Sequence, residues 1–372
     1  MTVVVTDAKY RASLAAVRSL ARAGHTVVLT QTALDIKANE KPAAFYSKYV
    51  SEALLLDTSV NDEKDYLEKL FSLLSKYESP VLFPIGAKSF SLVSKHAEKL
   101  AEVSAFTVAS VSALEAANDK SLVKKHAESL GISVPKAYDA TPDKFPVIIK
   151  PRCGEAYGLR SDERYIIAHN ADEYLEAYKK MEIYGGKPVV EELVSGTGIG
   201  ISLLMNKEGR AVSAICHKRV REYSISGGPS ACCESFYDEK MIRDAEGLLA
   251  DIGFVGIAMV EFKGEHILEI NPRIWGSFPL TYKSYASFSD DYVKLSLGEC
   301  VEHPLDNFKS GVRMNFFFND IIASTKLLLA GRIKDALEGF ADILSGRVSD
   351  AIYDKDDKAP FWHFVRAKLL GR

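Results

Sequence analysis

Cysteine is sparse in this chain and forms no recognisable metal or redox pattern. The five residues lie at 153, 216, 232, 233 and 300 with no C-x-x-C pair, and the adjacent pair 232–233 suits a structural zinc site poorly. Reduced thiols in a cytoplasmic protein are the expectation. No apolar run approaches the roughly 18 residues that a membrane span needs, so no membrane span is expected. The opening residues, Met1-Thr2-Val3-Val4-Val5-Thr6-Asp7, lack the basic and apolar regions of a secretory signal. A net charge of −3 and a pI near 6.3 give no basic surface for nucleic acid. The first apolar run is not followed by G-x-G-x-x-G, which argues against an independent dinucleotide site there. Internal repeats and low-complexity linkers are absent too.

What remains is an ordinary globular composition, 47% apolar and 26% charged over 372 residues, long enough for two or three cores. Residues 1–110 alternate short apolar runs with helical patterns. Strands are expected at 3–6, 26–29 and 81–84. One helix presents Leu14, Val17, Leu20 and Ala21 and stops at Gly24; another presents Tyr66, Leu67, Leu70, Leu73 and Leu74. This βαβ rhythm predicts an α/β fold opening with a doubly wound parallel sheet. A catalytic unit of α+β type is placed at 111–310, with subdomains at about 111–187 and 188–310. In it Asn118 caps a helix running to Leu130, and strands are expected at 147–150, 189–193, 199–205, 211–217, 255–262 and 266–271. Residues 311–372 read as a helical tail, with helices at 321–330 and 333–344 that dock on the body or form a dimer seam.

The most informative stretch is Val260-Glu261-Phe262-Lys263-Gly264-Glu265-His266-Ile267-Leu268-Glu269-Ile270-Asn271-Pro272-Arg273. It reads as a two-stranded ribbon turning through a three-residue loop at 264–266. Glu261 then faces Glu269, with Asn271 two residues along the same face. Facing carboxylates destabilise a ribbon unless something positive lies between them. Two carboxylates and an amide oxygen make a hard donor set, suited to Mg²⁺ shared with phosphates. A solvated acidic strand face is the alternative. Arg273 follows directly, and a guanidinium there can hold phosphate or carboxylate oxygens bidentately.

An acidic residue, a gap, then Glu-x-Asn-Pro-Arg resembles the last signature of the ATP-grasp superfamily. The resemblance implies a pre-ATP-grasp domain followed by the two-subdomain ATP-grasp fold. It implies ATP and Mg²⁺ (Mn²⁺ as the alternative metal), with the ion on Glu261, Glu269 and Asn271 and phosphate or substrate on Arg273. Three further stretches match in order. Lys120, in Asn118-Asp119-Lys120, and Lys150, at the end of a buried strand, match lysines that reach the nucleotide phosphates. The segment Arg152-Cys153-Gly154-Glu155-Ala156-Tyr157-Gly158 resembles the flap over the terminal phosphates, with Gly154 and Gly158 offering backbone N–H groups. Residues 189–196 resemble the hinge that binds adenine through backbone groups at Glu192 and Val194. Many family members carry a glutamate for the ribose where this chain has Gly198, so ribose passes to Glu191 or a neighbour.

His217, Arg219 and Arg221 share one face by alternation, ahead of Gly227-Gly228-Pro229. The stretch resembles the loop of carboxylate–amine ligases where an arginine meets the acyl phosphate. Arg219 is favoured over Arg221 for that role, and His217 is read as a local hydrogen-bonding residue. The implied activity joins a small-molecule carboxylate to an amine through an acyl phosphate, releasing ADP and phosphate. A non-catalytic ATP-binding protein and another ATP-grasp phosphoryl-transfer or carboxylation chemistry are the alternatives. The identity of acid and amine is not legible in the residues.

Overall fold

The computed structural model describes residues 1–37, 40–153, 157, 159, 163–224 and 228–369. Four parallel strands, β1 (Thr2–Val5), β2 (Thr26–Thr32), β3 (Glu52–Leu56) and β4 (Val81–Phe83), form the first sheet in the order β3-β2-β1-β4. Val3 and Val5 pack with the helix Arg11–Arg22, whereas Val4 packs with the helix Glu63–Leu74. A strand buried on both faces needs this near-continuous apolar run. β3 lies at the edge and is largely exposed, and no expectation covered it.

Two helices, Val111–Asn118 and Lys120–Ser129, lead into the second unit. The cap of the second is Asp119, whose carboxylate accepts from Ser121 N at 2.9 Å and Leu122 N at 3.2 Å. Asn118 instead ends the preceding helix. A small antiparallel sheet follows, of β5 (Val147–Lys150), β6 (Ile166–Ala168) and β7 (Val189–Glu192), backed by the helix Ala171–Glu182.

The large sheet holds β8 (Gly198–Met205), β9 (Ala211–Glu222), β10 (Ser230–Phe236), β11 (Gly256–Lys263), β12 (His266–Asn271), β13 (Arg313–Asn315) and β14 (Ser349–Asp350), ordered β12-β11-β8-β9-β10-β13-β14. Strand alternation splits its side chains. Ile201, Leu203, Met205, Ala258 and Val260 pack under the helices Lys120–Ser129 and Glu239–Asp251. Leu204, Ile215, Ile257 and Met259 share a core with the first domain and with Trp275, Phe278, Phe288 and Tyr292. Trp275 meets Phe278 and Phe288 edge-on at 5.1 and 5.4 Å, a geometry worth about 0.5–1.5 kcal/mol per pair beyond burial. Tyr292 donates to Leu82 O at 3.0 Å and stands edge-on to Phe83 at 4.4 Å, tying the helix Phe288–Ser296 to the first sheet.

The segment beyond residue 310 is not purely helical. It carries the helices Phe317–Leu329, Ile333–Ser345 and Ala359–Leu369, and it also supplies β13 and β14. Arg18, fully buried on the first helix, donates to Asp357 Oδ2 at 2.9 Å and to the carbonyls of Ile352 and Asp357 at 2.7 and 2.9 Å. Ser47 Oγ and Lys48 N donate to the same carboxylate at 2.6 and 3.0 Å. The tail is thereby fastened to the first domain by a charge pair with most of its hydrogen-bonding capacity used.

Candidate active site

A cleft of about 460 Å³ opens between the small and large sheets. Lys120, Lys150, Glu191, Glu192, Val194, Arg219, Glu261, Glu269, Asn271 and Arg273 all line it. Gly154 and Gly158 lie outside the described residues, as does Gly227.

The acidic pair arises from strand register. Glu261 on β11 is paired with Glu269 on β12, and Asn271 lies two residues along, opposite Met259. The loop differs from expectation: Lys263 pairs with His266, leaving only residues 264 and 265 between the strands. Phe262 pairs with Ile267, so Leu268 is an extra residue on β12 that restores the facing glutamates. A one-residue slip would otherwise have sent one carboxylate to the opposite face.

Cations already neutralise both carboxylates. Lys120 Nζ lies 2.6 Å from Glu269 Oε2, and Arg219 Nη2 lies 2.8 Å from Glu261 Oε2. Burial opposes ionisation of Glu269, yet Lys120 and Lys150 hold its pKa down at about 2. Glu261 raises the Arg219 guanidinium above its ordinary value. Asn271 Nδ2 donates to Glu261 Oε1 at 3.2 Å, and Arg273 Nη2 donates to Asn271 Oδ1 at 3.4 Å. Two carboxylates with an amide oxygen beside them form an oxygen donor set that fits a hard divalent ion sharing its shell with phosphate. Among the described residues no cluster of three or more His, Cys, Asp or Glu offers a complete protein cage.

Glu191 behaves differently from its expected role. It is fully buried, and its carboxylate pairs with both Lys150, at 3.2 Å, and Lys124. A carboxylate committed to two lysines orients them and has little left for ribose hydroxyls. Burial lowers the Lys150 pKa to about 8, and it lowers that of Lys124 as well. Sequence reasoning missed Lys124, although its spacing of four from Lys120 puts both on one helix face. Glu192 accepts from Lys136 N at 2.9 Å and gives its own N–H to Lys136 O at 3.0 Å, so that hinge N–H is already used.

On β9 the expected alternation fails at one point. Arg219 pairs with Cys233 and Arg221 with Cys232, leaving Val220 as an extra residue. Arg221 therefore leaves the cleft and donates to Asp320 at 2.7 and 2.9 Å and to Asp342 at 2.8 Å on the tail helices. Glu222 joins Arg219 in the cleft and faces Lys263 at 3.6 Å. A Cβ at Gly198 would stand 2.7 Å from Arg219 Cδ, so a larger residue there would displace the Arg219 side chain. His217 is buried and hydrogen-bonds Ser277 Oγ at 3.0 Å; burial pushes its pKa down to about 3, so it is neutral.

Known proteins resemble this chain in sequence and in fold. Residues 117–277 match the ATP-grasp domain family. A D-alanine–D-alanine ligase from Fusobacterium nucleatum is 31% identical over 170 residues, covering 41% of this chain and 55% of that protein; the chain thus spans about half the length of that relative. Similar solved structures include a biotin carboxylase from Campylobacter jejuni (TM-score 0.63, 17% identity, 84% of this chain and 74% of that one). They also include N5-carboxyaminoimidazole synthetase from Staphylococcus aureus (TM-score 0.60, 15% identity, 90% and 86%) and an L-amino acid ligase from Bacillus licheniformis (TM-score 0.58, 14% identity, 80% and 74%). At such identities these structures speak for the fold alone. Residues 117–277 of this chain are an ATP-grasp domain.

Proposed function

We propose that the protein is an ATP-dependent ligase joining a small-molecule carboxylate to an amine through an acyl phosphate. The observation that carries the proposal is the meeting of Glu261, Glu269 and Asn271 with Lys120, Lys150, Arg219 and Arg273 in one cleft. Glu261, Glu269 and Asn271 would hold Mg²⁺ or Mn²⁺, whose charge offsets that of the nucleotide phosphates. Lys120 and Lys150 hold phosphate oxygens, and the hinge at 192–194 holds the base.

An oxygen of the substrate carboxylate attacks the γ-phosphorus, and the bond to the bridging oxygen of ADP breaks. The amine nitrogen then adds to the acyl carbon; phosphate leaves with its electron pair, and the nitrogen loses a proton. Arg219 and Arg273 stabilise the negative charge that develops on the carboxylate and the tetrahedral oxygen. A preorganised donor of this kind contributes about 2.7–4 kcal/mol, and positioning of the reactants contributes up to about 7–11 kcal/mol. No protein nucleophile is needed. The expected partners are small molecules and the expected compartment is the cytoplasm. Among the described residues no helix is long and apolar enough to cross a membrane.

The test is a matrix of carboxylates against amines with MgATP, scored by phosphate release and product mass. A pair giving ADP, phosphate and an amide supports the proposal. ATP consumption with bicarbonate and a carboxylated product would move the chemistry to carboxylation. Binding of MgADP with no turnover across the matrix would favour a non-catalytic role.

A further inference from the structure

At one side of the cleft, Arg11, Trp275, Gly276, Ser277, Phe316 and Asn319 line a wall that the phosphate chemistry leaves unused. Arg11 is the first residue of the helix Arg11–Arg22. Its guanidinium lies 4.8 Å from the Phe316 ring centroid and 5.4 Å from that of Phe364. Two aromatic faces restrict the side chain and remove water from it. Among the described residues no hydrogen-bond acceptor or ion-pair partner meets that guanidinium. Asp350 attracts it through space, but its oxygens accept from the backbone N–H groups of Phe317, Ile352 and Tyr353 at 3.1, 2.8 and 2.6 Å. Burial lowers the Arg11 pKa, which is the cost of drying a cation without giving it an anion. An arginine keeps its charge in proteins and offers five N–H donors in a planar fork. Such a fork, open to a cavity and dried by rings, is built for a planar anion.

We infer that Arg11, with Asn319 lining the same cavity, forms a subsite for a carboxylate the reaction does not consume, so that the amine substrate is an amino acid. This rests on the ligase proposal for the role of the amine. The activated carboxylate belongs with Arg219, Arg273 and the facing glutamates. An anion on Arg11 must therefore be a second one, carried by the other reactant. Ser277 and Gly276 connect this wall to Arg273 through the chain itself, which keeps the two anions in one cleft.

The probes are the twenty common L-amino acids and D-alanine, each offered as free acid and as carboxamide to the full chain with MgADP present. Binding is read by the shift in thermal melting, and turnover by phosphate release with MgATP. At least one free acid should bind, with its carboxamide at least tenfold weaker. Arg11→Met and Asn319→Asp should each weaken the free acid tenfold or more while leaving the MgADP shift unchanged. Asn319→Asp puts an acidic residue in a helix's first turn, so it tests the subsite even if Arg11→Met fails to fold. Equal binding of acid and amide, wild-type binding in a folded variant, or binding of no probe overturns the subsite. Arg11-dependent binding without any phosphate release would instead sink the ligase proposal and leave the subsite standing.

Discussion

Lys120 Nζ lies 2.6 Å from Glu269 Oε2, so the first residue of a helix neutralises the carboxylate that faces Glu261 across the ribbon. A cation at a helix N-terminus opposes the macrodipole at about 0.3–1 kcal/mol, and Glu269 offsets that cost. The same ammonium is then near at hand for a phosphate oxygen.

Glu269→Gln should abolish turnover, a loss of roughly 10³-fold or more, because it removes both the proposed metal donor and the Lys120 partner. Circular dichroism should show an intact fold; near-normal kcat would remove the metal assignment. The wild-type carboxyl titrates at about 2 in the folded protein, below the ordinary 4.5. A depressed acid contributes stability above pH 4.5 and loses it as pH falls towards 2. Acid unfolding of Glu269→Gln should therefore be flatter across that window.

Lys150 titrates at about 8 in the free protein, lowered chiefly by burial. It is charged below that pH, so kcat/KM for ATP should hold steady to about pH 7.5 and fall towards tenfold per unit above 8. Lys150→Arg keeps its charge and should lack the alkaline limb, measured as a pH profile at saturating acid and amine.

Arg219 and Arg221 should part company in their readouts. Arg219→Ala should cut kcat by about 10²–10³ through the loss of the proposed oxyanion donor, with a smaller fall in melting than at Arg221 because its partner Glu261 is less deeply buried than Asp320. Arg221→Met leaves Asp320 buried and unpaired, which costs about 3–5 kcal/mol, and should act on melting temperature far more than on kcat. Kinetics and calorimetry on the two variants settle it.

Asp357→Ala should destabilise the protein by about 3–5 kcal/mol, since it strands the buried Arg18. The double variant Arg18→Met with Asp357→Leu should recover much of that loss in denaturant titration. Equal stability of the single variant and wild type would show that the tail is held elsewhere.

The facing glutamates were legible in the sequence even though the turn was not. Alternation fixes the side of each strand, but a turn of two rather than three residues shifts the pairing, and the extra Leu268 shifts it back. Such compensation leaves no trace in a pattern of period two. β3 escaped because an exposed edge strand shows no buried face, and the helix Val111–Asn118 because its last residue resembles a cap. Lys124 and Arg18 were findable: one repeats Lys120 at a spacing of four, the other lies on the face of Leu14 and Val17. Arg11 was not, since its setting is made by Phe316 and Phe364, more than three hundred residues away.

The extra residue at Val220 works as a frame marker for two arginines that would otherwise look alike. Straightening the strand there with every residue kept would pair Val220 with Cys232, turn Arg221 to the cleft side and carry Glu222 away from it, whereas excising Val220 would leave both where they are. The tail helices would lose their anchor to Arg221 in the same stroke, so one bulge governs both the lining of the cleft and the docking of the tail.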